Sequence, residues 1–265
     1  MPVVPVNGIQ LSYHDHGTGD PVFLLMGMGS SGRVWQIHQV PALVAAGHRV
    51  IAVDNRGIAP TDLCADGITV ADLAADVRAL ARHLGLDRFS LVGTSLGARI
   101  ALHLAAEEPA LVRKVVLMAV RGRSEPLHEV FDEGERQLTD QGLRLPPRYH
   151  AATTAMWNLS PRTLFDPVKV QEWLDVLEFG DQPAGPGVRA QMDIGDDPGL
   201  PARCARITAP TLVLAFADDL IAPPHLGREV AGMIPGARFD ELPDAGHFGY
   251  LERPEAVNKL LTEFL

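Results

Sequence analysis

The chain has 265 residues, and 23 Lys and Arg against 33 Asp and Glu give it a formal charge of −10. Hydrophobic residues make up 46% of the sequence and charged residues 21%, which is ordinary for a soluble globular protein and excludes disordered and fibrous classes. The acidic balance argues against nucleic-acid binding, and the longest apolar runs fall far short of the ~18 residues that a membrane helix needs.

The two cysteines, Cys64 and Cys204, lie far apart in the sequence. They form neither a disulfide framework nor a CxxC zinc pattern, so we expect a reducing, cytoplasmic location. The first eight residues contain no basic segment followed by a long apolar stretch, and no signal peptide is expected.

A β-hairpin is predicted at the start of the chain. Residues 6–17 alternate apolar and polar side chains around Asn7-Gly8, a dipeptide typical of tight β-turns. We therefore predict an antiparallel hairpin at one edge of a sheet.

Five further segments are predicted as strands that are buried on both faces. Each is a nearly continuous apolar run bounded by turn residues, which is the pattern of a parallel sheet. These runs cover residues 22–26, 48–54, 89–93, 112–120 and 211–216, and a late strand is predicted at 239–243.

Amphipathic helices are predicted between these strands. Thr69 and Asp72 have the spacing of a capping box, and an apolar stripe follows them as far as Gly85. A second helix is predicted over residues 96–106, and the last one begins at Pro254. This succession predicts an α/β fold, a mostly parallel twisted sheet flanked by helices.

The alternation stops between residues 121 and 205. Helix-like pieces rich in large apolar side chains replace the strands there, and two of the three tryptophans lie in this stretch. We predict a helical cap at 121–205, inserted between a first core part at 1–120 and a second core part at 206–265. Extra core helices in a single layer are the alternative.

The strongest functional signal is the pentapeptide Gly93-Thr94-Ser95-Leu96-Gly97, a G-x-S-x-G motif between a predicted strand and a predicted helix. A nucleophile on so tight a turn requires small neighbours, and the two glycines meet this requirement. The helix N-terminus beside Ser95 favours negative charge that develops during a reaction. We predict Ser95 as the nucleophile, with a structural glycine-rich loop as the alternative.

A serine hydroxyl needs a base to act as a nucleophile, and we predict His247 among the ten histidines. His247 follows Gly246 in a loop after the late strand, at the carboxyl edge of the sheet where Ser95 also lies. His14 and His16 alternate on the predicted hairpin like a metal-binding pair, but no third ligand is evident, and no metal site is predicted.

An acidic residue is expected to hold the imidazole of the base in the productive tautomer. Asp218 and Asp219 both follow the predicted strand at 211–216. We predict Asp219 in this role, with Asp218 as the alternative; a solvated acidic turn is the interpretation without catalysis.

Two backbone amides are predicted to bind the negative oxygen of the reacting group. One is the N–H of Leu96, directly after the nucleophile. The other is the N–H of Met28, in the glycine-rich loop at 27–32 that follows the strand at 22–26. A glycine-rich turn without this role is the alternative for the loop.

In combination these motifs resemble the α/β-hydrolase-fold enzymes, and the likeness covers nearly all of the chain outside residues 121–205. The segments that carry it are 93–97, 27–32, 54–57, Asp219 and Gly246-His247. The resemblance implies a Ser95–Asp219–His247 triad beneath a helical cap.

The chain departs from the pattern of these enzymes in three places. Relatives often have His-Gly in the glycine-rich loop, where this chain has Met26-Gly27, and the Asp-x-Arg-Gly segment continues here with Ile58-Ala59-Pro60. Ser95 stands where epoxide hydrolases and haloalkane dehalogenases carry Asp, which disfavours those two activities.

The predicted function is that of a cofactor-free serine hydrolase that cleaves a hydrophobic ester, thioester or lactone through an acyl-enzyme. A hydrophobic small molecule with more than a short acyl chain is the expected substrate, in a largely apolar pocket to which Phe131 and Trp157 of the cap contribute, although packing residues would look the same. The resemblance also permits elimination in the same pocket, such as loss of acetate in natural-product tailoring. A non-catalytic binding protein is the third alternative. The presence of all three triad residues argues against it.

Overall fold

The computed structural model describes residues 1–65, 67–180 and 185–265. Within these ranges eight strands form one sheet in the spatial order β1-β2-β4-β3-β5-β6-β7-β8. The strands are β1 (Val3–Val6), β2 (Ile9–His16), β3 (Asp20–Leu25), β4 (His48–Val53), β5 (Phe89–Thr94), β6 (Val112–Met118), β7 (Thr211–Phe216) and β8 (Arg238–Leu242).

The sheet is antiparallel at one end and parallel elsewhere. β1 and β2 form the predicted hairpin, with positive φ at Asn7 and Gly8 in its turn, and β2 also pairs antiparallel with β4. All pairings from β4 to β8 are parallel, so the ends of these six strands lie at one edge. The direction of strand succession reverses between β3 and β5, and the loops after these strands flank the position where open α/β sheets bind ligands.

The parallel strands are buried on both faces, as their unbroken apolar runs predict. On β3, Phe23 and Leu25 pack into the core on one side of the sheet, while Val22 and Leu24 pack into the core on the other. All four side chains are at most 1% exposed. The predicted α/β architecture is therefore confirmed.

Helices connect the strands and cover both faces of the sheet. Thr69 and Asp72 form the predicted capping box at the start of α2, with the Asp72 N–H donating to Thr69 Oγ1 at 3.1 Å. The helices are a 3-10 turn at Gly32–Gln36, α1 (Gln39–Ala45), α2 (Val70–His83), α3 (Leu96–Glu107), α4 (Pro126–Asp140), α5 (Pro147–Asn158), α6 (Pro161–Leu164), α7 (Pro167–Phe179), α8 (Pro186–Met192), α9 (Leu200–Cys204), α10 (Pro224–Met233), α11 (Gly249–Glu252) and α12 (Pro254–Phe264). In the described ranges, none of them is long and apolar enough to cross a membrane.

Two local features differ from the sequence prediction or were absent from it. β6 ends at Met118 rather than at residue 120, because Ala119 takes a positive φ of 47° that no strand continues. The helices α1 and α10 lack a side-chain cap at their N-termini, so the signal that predicts α2 is missing from both. Between β6 and β7 the described helices run from α4 to α9, where the sequence predicts helical pieces instead of strands.

Candidate active site

Ser95 stands on the tight turn between β5 and α3. Its backbone has φ 54° and ψ −118°, a strained conformation for a residue with a side chain. A Cβ at Gly93 would overlap the carbonyl of Gly97, and a Cβ at Gly97 would overlap the carbonyl of Leu25. The two glycines of the pentapeptide are therefore required by close backbone approach, as predicted from the motif.

Ser95 is half-buried and lies beside the glycine-rich loop that follows β3. A Cβ at Gly27 would lie 3.3 Å from the Cβ of Ser95, so glycine keeps the space around the hydroxyl open. The Ser95 N–H donates to the carbonyl of Met118 at 3.0 Å, which ties the turn to the end of β6.

Asp219 and His247 form a buried hydrogen-bonded pair. Nδ1 of His247 lies 2.8 Å from Oδ2 of Asp219, and the two residues are 7% and 2% exposed. Oδ1 of Asp219 accepts the N–H groups of Ile221 and Ala222, both at 2.8 Å, so both carboxylate oxygens are hydrogen-bonded. An ionised carboxylate in this position orients the imidazole with its Nε2 pointing away from Asp219.

Asp218, the alternative acid, takes a different place. Its N–H donates to the carbonyl of Ala245, and no hydrogen bond joins its carboxylate to His247 among the described residues. Burial, together with the charges of Asp244 and Glu252, raises the pKa of Asp218. The geometry therefore favours Asp219 over Asp218 as the partner of His247.

Backbone hydrogen bonds connect the loops that carry these residues along one edge of the sheet. Beyond the bond from Ser95 to β6, the Ala119 N–H donates to Leu214 on β7, and the Ala217 N–H donates to Leu242 on β8. The edge is thus continuous from the Ser95 turn to the His247 loop. No hydrogen bond joins the Ser95 hydroxyl to His247 in the described structure, and contacts between catalytic groups are often long before substrate binds.

Of the two predicted oxyanion donors, Leu96 directly follows Ser95, and Met28 lines the same cavity as Ser95. The N–H of Leu96 belongs to the first residue of α3, where helical amides have no partner of their own. Neither this N–H nor that of Met28 donates a hydrogen bond within the described part of the chain. Both amides are therefore available to an anionic oxygen.

Gln191 of α8 holds the glycine-rich loop, and the sequence analysis did not predict this role. Its Oε1 accepts the N–H of Gly29 at 3.0 Å, and its Nε2 donates to the carbonyl of Arg56 at 2.8 Å. Gln191 is 2% exposed. A single glutamine within a short helix carries no motif, so only the structure reveals the contact.

Glu252 of α11 connects the His247 loop to the helical region between β6 and β7. Its carboxylate accepts the N–H of Gly246 at 2.7 Å and both the N–H and the hydroxyl of Ser160, at 3.0 and 2.9 Å. The Phe248 N–H donates to the carbonyl of Asn158 beside this site. The residues on either side of His247 are therefore fixed by hydrogen bonds.

A cavity of about 210 Å³ opens on Ser95. It is smaller than the range of about 300–1,000 Å³ that is typical of drug-sized ligands. Its apolar lining includes Met28, Leu96, Phe131, Met192, Ile194 and Ile221. Trp157 is not among the lining residues; it packs on Phe131, with the ring centroids 4.3 Å apart.

The same cavity also has a charged lining, whereas the sequence predicts a largely apolar pocket. The charged residues are Arg99, Arg121, Asp132, Glu135 and Arg136. A second cavity of about 310 Å³ lies on the other side of Arg99 and Arg121, which line both cavities.

His14 and His16 lie on β2 with their rings stacked, the centroids 6.3 Å apart. Among the described residues, no three His, Cys, Asp or Glu side chains are grouped so that they could hold a metal ion.

Comparison with known proteins identifies relatives over the full length of the chain. A family model described as the alpha/beta hydrolase fold matches residues 20–254. A protein of Mycobacterium tuberculosis that carries the name non-heme bromoperoxidase BpoC is 44% identical over 97% of each chain, and its crystal structure has a TM-score of 0.91 over 96% of this chain and 94% of that one. A protein of Variovorax paradoxus named as the carbamate hydrolase RutD is 33% identical over 96% of each chain. The crystal structure of the enol-lactonase from Burkholderia xenovorans LB400 is 27% identical, with a TM-score of 0.83 over 99% of both chains.

Proposed function

The chain belongs to the α/β-hydrolase fold family and is an enzyme, and from this premise we propose that it is a cofactor-free serine hydrolase that cleaves an ester, thioester or lactone through an acyl-enzyme. The observation that carries the proposal is the buried Asp219–His247 hydrogen bond at the sheet edge where Ser95 projects from a strained turn. We also propose that residues 121–205 act as a helical cap over this site.

In the first half of the reaction, Ser95 Oγ attacks the carbonyl carbon of the substrate while His247 Nε2 takes the hydroxyl proton. The carbonyl π electrons move to oxygen, and the N–H groups of Leu96 and Met28 bind the resulting oxyanion. Asp219 stabilises the imidazolium of His247. The proposed roles are supported by the unused amides and by the Asp219 contact.

The carbon–oxygen or carbon–sulfur bond of the leaving group then breaks, and His247 gives its proton to the departing atom. In the second half, water attacks the acyl-enzyme, His247 accepts a proton from that water, and the proton returns to Ser95 Oγ as the acid is released. Removing one oxyanion donor of this kind typically costs about 10²–10³ in kcat. The pairs of donors and acceptors in the site thus match the charge changes of acyl transfer.

A panel of chromogenic esters, thioesters and lactones, measured with the wild type and Ser95→Ala, tests the proposal. We expect turnover of at least one small member and its loss by a factor of about 10⁴ or more in Ser95→Ala. Full activity in the serine variant would contradict the mechanism.

Reaction in oxygen-18 water distinguishes hydrolysis from elimination. Hydrolysis places the label in the released acid, whereas elimination leaves the acid unlabelled. Because relatives at 44% identity are named as bromoperoxidases, bromination of an organic acceptor with bromide and hydrogen peroxide should be measured in parallel. Bromination that exceeds every acyl substrate and survives in Ser95→Ala would replace the proposal.

A further inference from the structure

The cavity beside Ser95 is rich in arginine although the protein is strongly acidic. Arg99 on α3, Arg121 after β6 and Arg136 on α4 all line it, in a chain with a formal charge of −10. Arginine in a small cavity is costly to desolvate, so the partner of each guanidinium determines what the site can bind.

Arg121 is already neutralised within the protein. Its Nη2 lies 2.7 Å from Oδ2 of Asp132, and its Nη1 donates to the carbonyl of Ile221. The Arg121–Asp132 pair adds no net charge to the cavity. The two other arginines are in a different position.

Arg99 and Arg136 form no ion pair within the described structure. The Arg99 guanidinium donates to the carbonyls of Ile194 and Gly195, and Arg136 makes one long hydrogen bond, 3.4 Å, to the carbonyl of Met192. Carbonyl oxygens carry no full charge, and a guanidinium has five N–H groups. Both arginines therefore keep positive charge and spare donors.

Acidic residues near these arginines offset only part of their charge. Glu135 lines the cavity and forms no ion pair in the described structure, and burial raises its pKa. Outside this cavity, Asp197 pairs with Arg203, while Asp196 accepts hydrogen bonds from Ser124 and its charge also acts on Arg99. Three arginines line the cavity against two acids, Asp132 and Glu135, so its lining has a formal charge of +1.

Arg99 also lines the same cavity as the nucleophile. It lies four residues after Ser95, and its N–H donates to the Ser95 carbonyl. If Arg99 binds an anionic group of a substrate, that group would lie only a few bonds from the carbonyl carbon that Ser95 Oγ attacks.

We infer that Arg99 and Arg136 form a carboxylate-binding subsite, and that the enzyme acts on small esters or lactones that carry a carboxylate a few bonds from the scissile carbonyl. The planar donor fork of arginine matches the two oxygens of a carboxylate. This inference rests on the proposed hydrolase function and names the substrate class of that same site.

Two chromogenic esters of equal length test it. 4-Nitrophenyl hydrogen glutarate carries a carboxylate, and 4-nitrophenyl 5-amino-5-oxopentanoate carries a carboxamide in its place. The wild type should prefer the carboxylate by about 10–100-fold in kcat/KM, mainly through KM, since the lost contacts are charge-assisted hydrogen bonds. Arg99→Gln and Arg136→Gln should each bring the ratio towards 1. Arg148→Gln, at an arginine that is 85% exposed on α5, should leave the ratio unchanged.

A ratio near 1 in the wild type, or a ratio that survives both cavity substitutions, would overturn the inference while leaving the hydrolase function intact. If neither ester is cleaved, the proposed function is in question, and binding alone tests the subsite. Titration calorimetry of the wild type with glutarate and with glutaramide needs no turnover. At least tenfold tighter binding of glutarate supports the subsite, and equal or weaker binding overturns it.

Discussion

Nδ1 of His247 lies 2.8 Å from Oδ2 of Asp219, although 28 residues separate the two in the chain. The other carboxylate oxygen accepts the N–H groups of Ile221 and Ala222. Because these two amides can only donate, the oxygen that faces them is fixed, and the second oxygen is left to accept from the imidazole. This arrangement selects the tautomer in which Nε2 of His247 is unprotonated and able to act as a base.

Replacing Asp219 by Asn should disable the base. The side-chain oxygen of Asn must still accept from Ile221 and Ala222, so its NH₂ group faces Nδ1 of His247 and forces the proton onto Nε2. We expect kcat to fall by about 10³–10⁴-fold with little change in folding, as the loss of the productive tautomer has that size in serine proteases. Asp218→Asn is the matched control and should retain nearly full kcat. A larger loss in Asp218→Asn than in Asp219→Asn would reverse the assignment.

Replacing Gln191 by Leu should loosen the loop that carries Met28. The substitution removes the acceptor of the Gly29 N–H and leaves that amide without its partner. We expect kcat to fall about 10–100-fold, because a displacement of about 1 Å in an active site has costs of that order. Steady-state kinetics on an ester substrate measure the effect. Gln137→Leu, an exposed position on α4, should change kcat by less than a factor of about 2. A Gln191→Leu enzyme with wild-type kcat would show that the loop is held by other contacts.

The same Gly-to-Ala change should have opposite effects on stability at two positions. At Gly97 the new Cβ would overlap the Leu25 carbonyl, and the free energy of unfolding should fall by more than about 4 kcal/mol. At Gly134, inside α4, nothing lies within 4 Å of the new Cβ, so the change should stabilise the protein by about 0.5–1 kcal/mol through helix propensity. Urea unfolding of the two variants measures both. A well-folded Gly97→Ala protein would contradict the described turn.

The capping box of α2 predicts a pH-dependent contribution to stability. Hydrogen bonds from Thr69 lower the pKa of Asp72 in the folded state. A carboxylate with a depressed folded pKa contributes stability above its ordinary pKa and loses it as the pH falls through the folded value. Asp72→Asn should therefore be less stable than the wild type by about 0.5–1 kcal/mol at pH 7, and the difference should shrink below about pH 4. Asp87→Asn, in an exposed turn, serves as the control for urea unfolding across this range. A difference that stays constant with pH would show that the Asp72 charge is not involved.

Much of the fold was predictable because its signals are local. The β3 core pattern and the Thr69–Asp72 capping box depend on residues close together in sequence, and both are observed. The turn at Ser95 was predictable for the same reason, since its motif lies within five residues and a Cβ at Gly93 would overlap the carbonyl of Gly97. Such features need no knowledge of distant contacts.

The remaining features depend on contacts between distant residues. Gln191 reaches Gly29 across 162 positions, and Glu252 reaches Ser160 across 92, with no spacing that marks either contact in advance. The charged lining of the cavity arises in the same way, because Arg99 comes from α3 and Arg136 from α4, which are far apart in the sequence. Residues in the helical region between β6 and β7 are especially hard to assign from sequence, since Phe131 lines the cavity while Trp157 packs behind it.

Covalent labelling with a fluorophosphonate, followed by peptide mapping, tests the central role of Ser95 most directly. We expect one modified peptide, labelled at Ser95, with no labelling in Ser95→Ala and labelling at least about 10³-fold slower in His247→Ala, because the imidazole must remove the hydroxyl proton. Modification at another residue, or an unchanged labelling rate in His247→Ala, would contradict it.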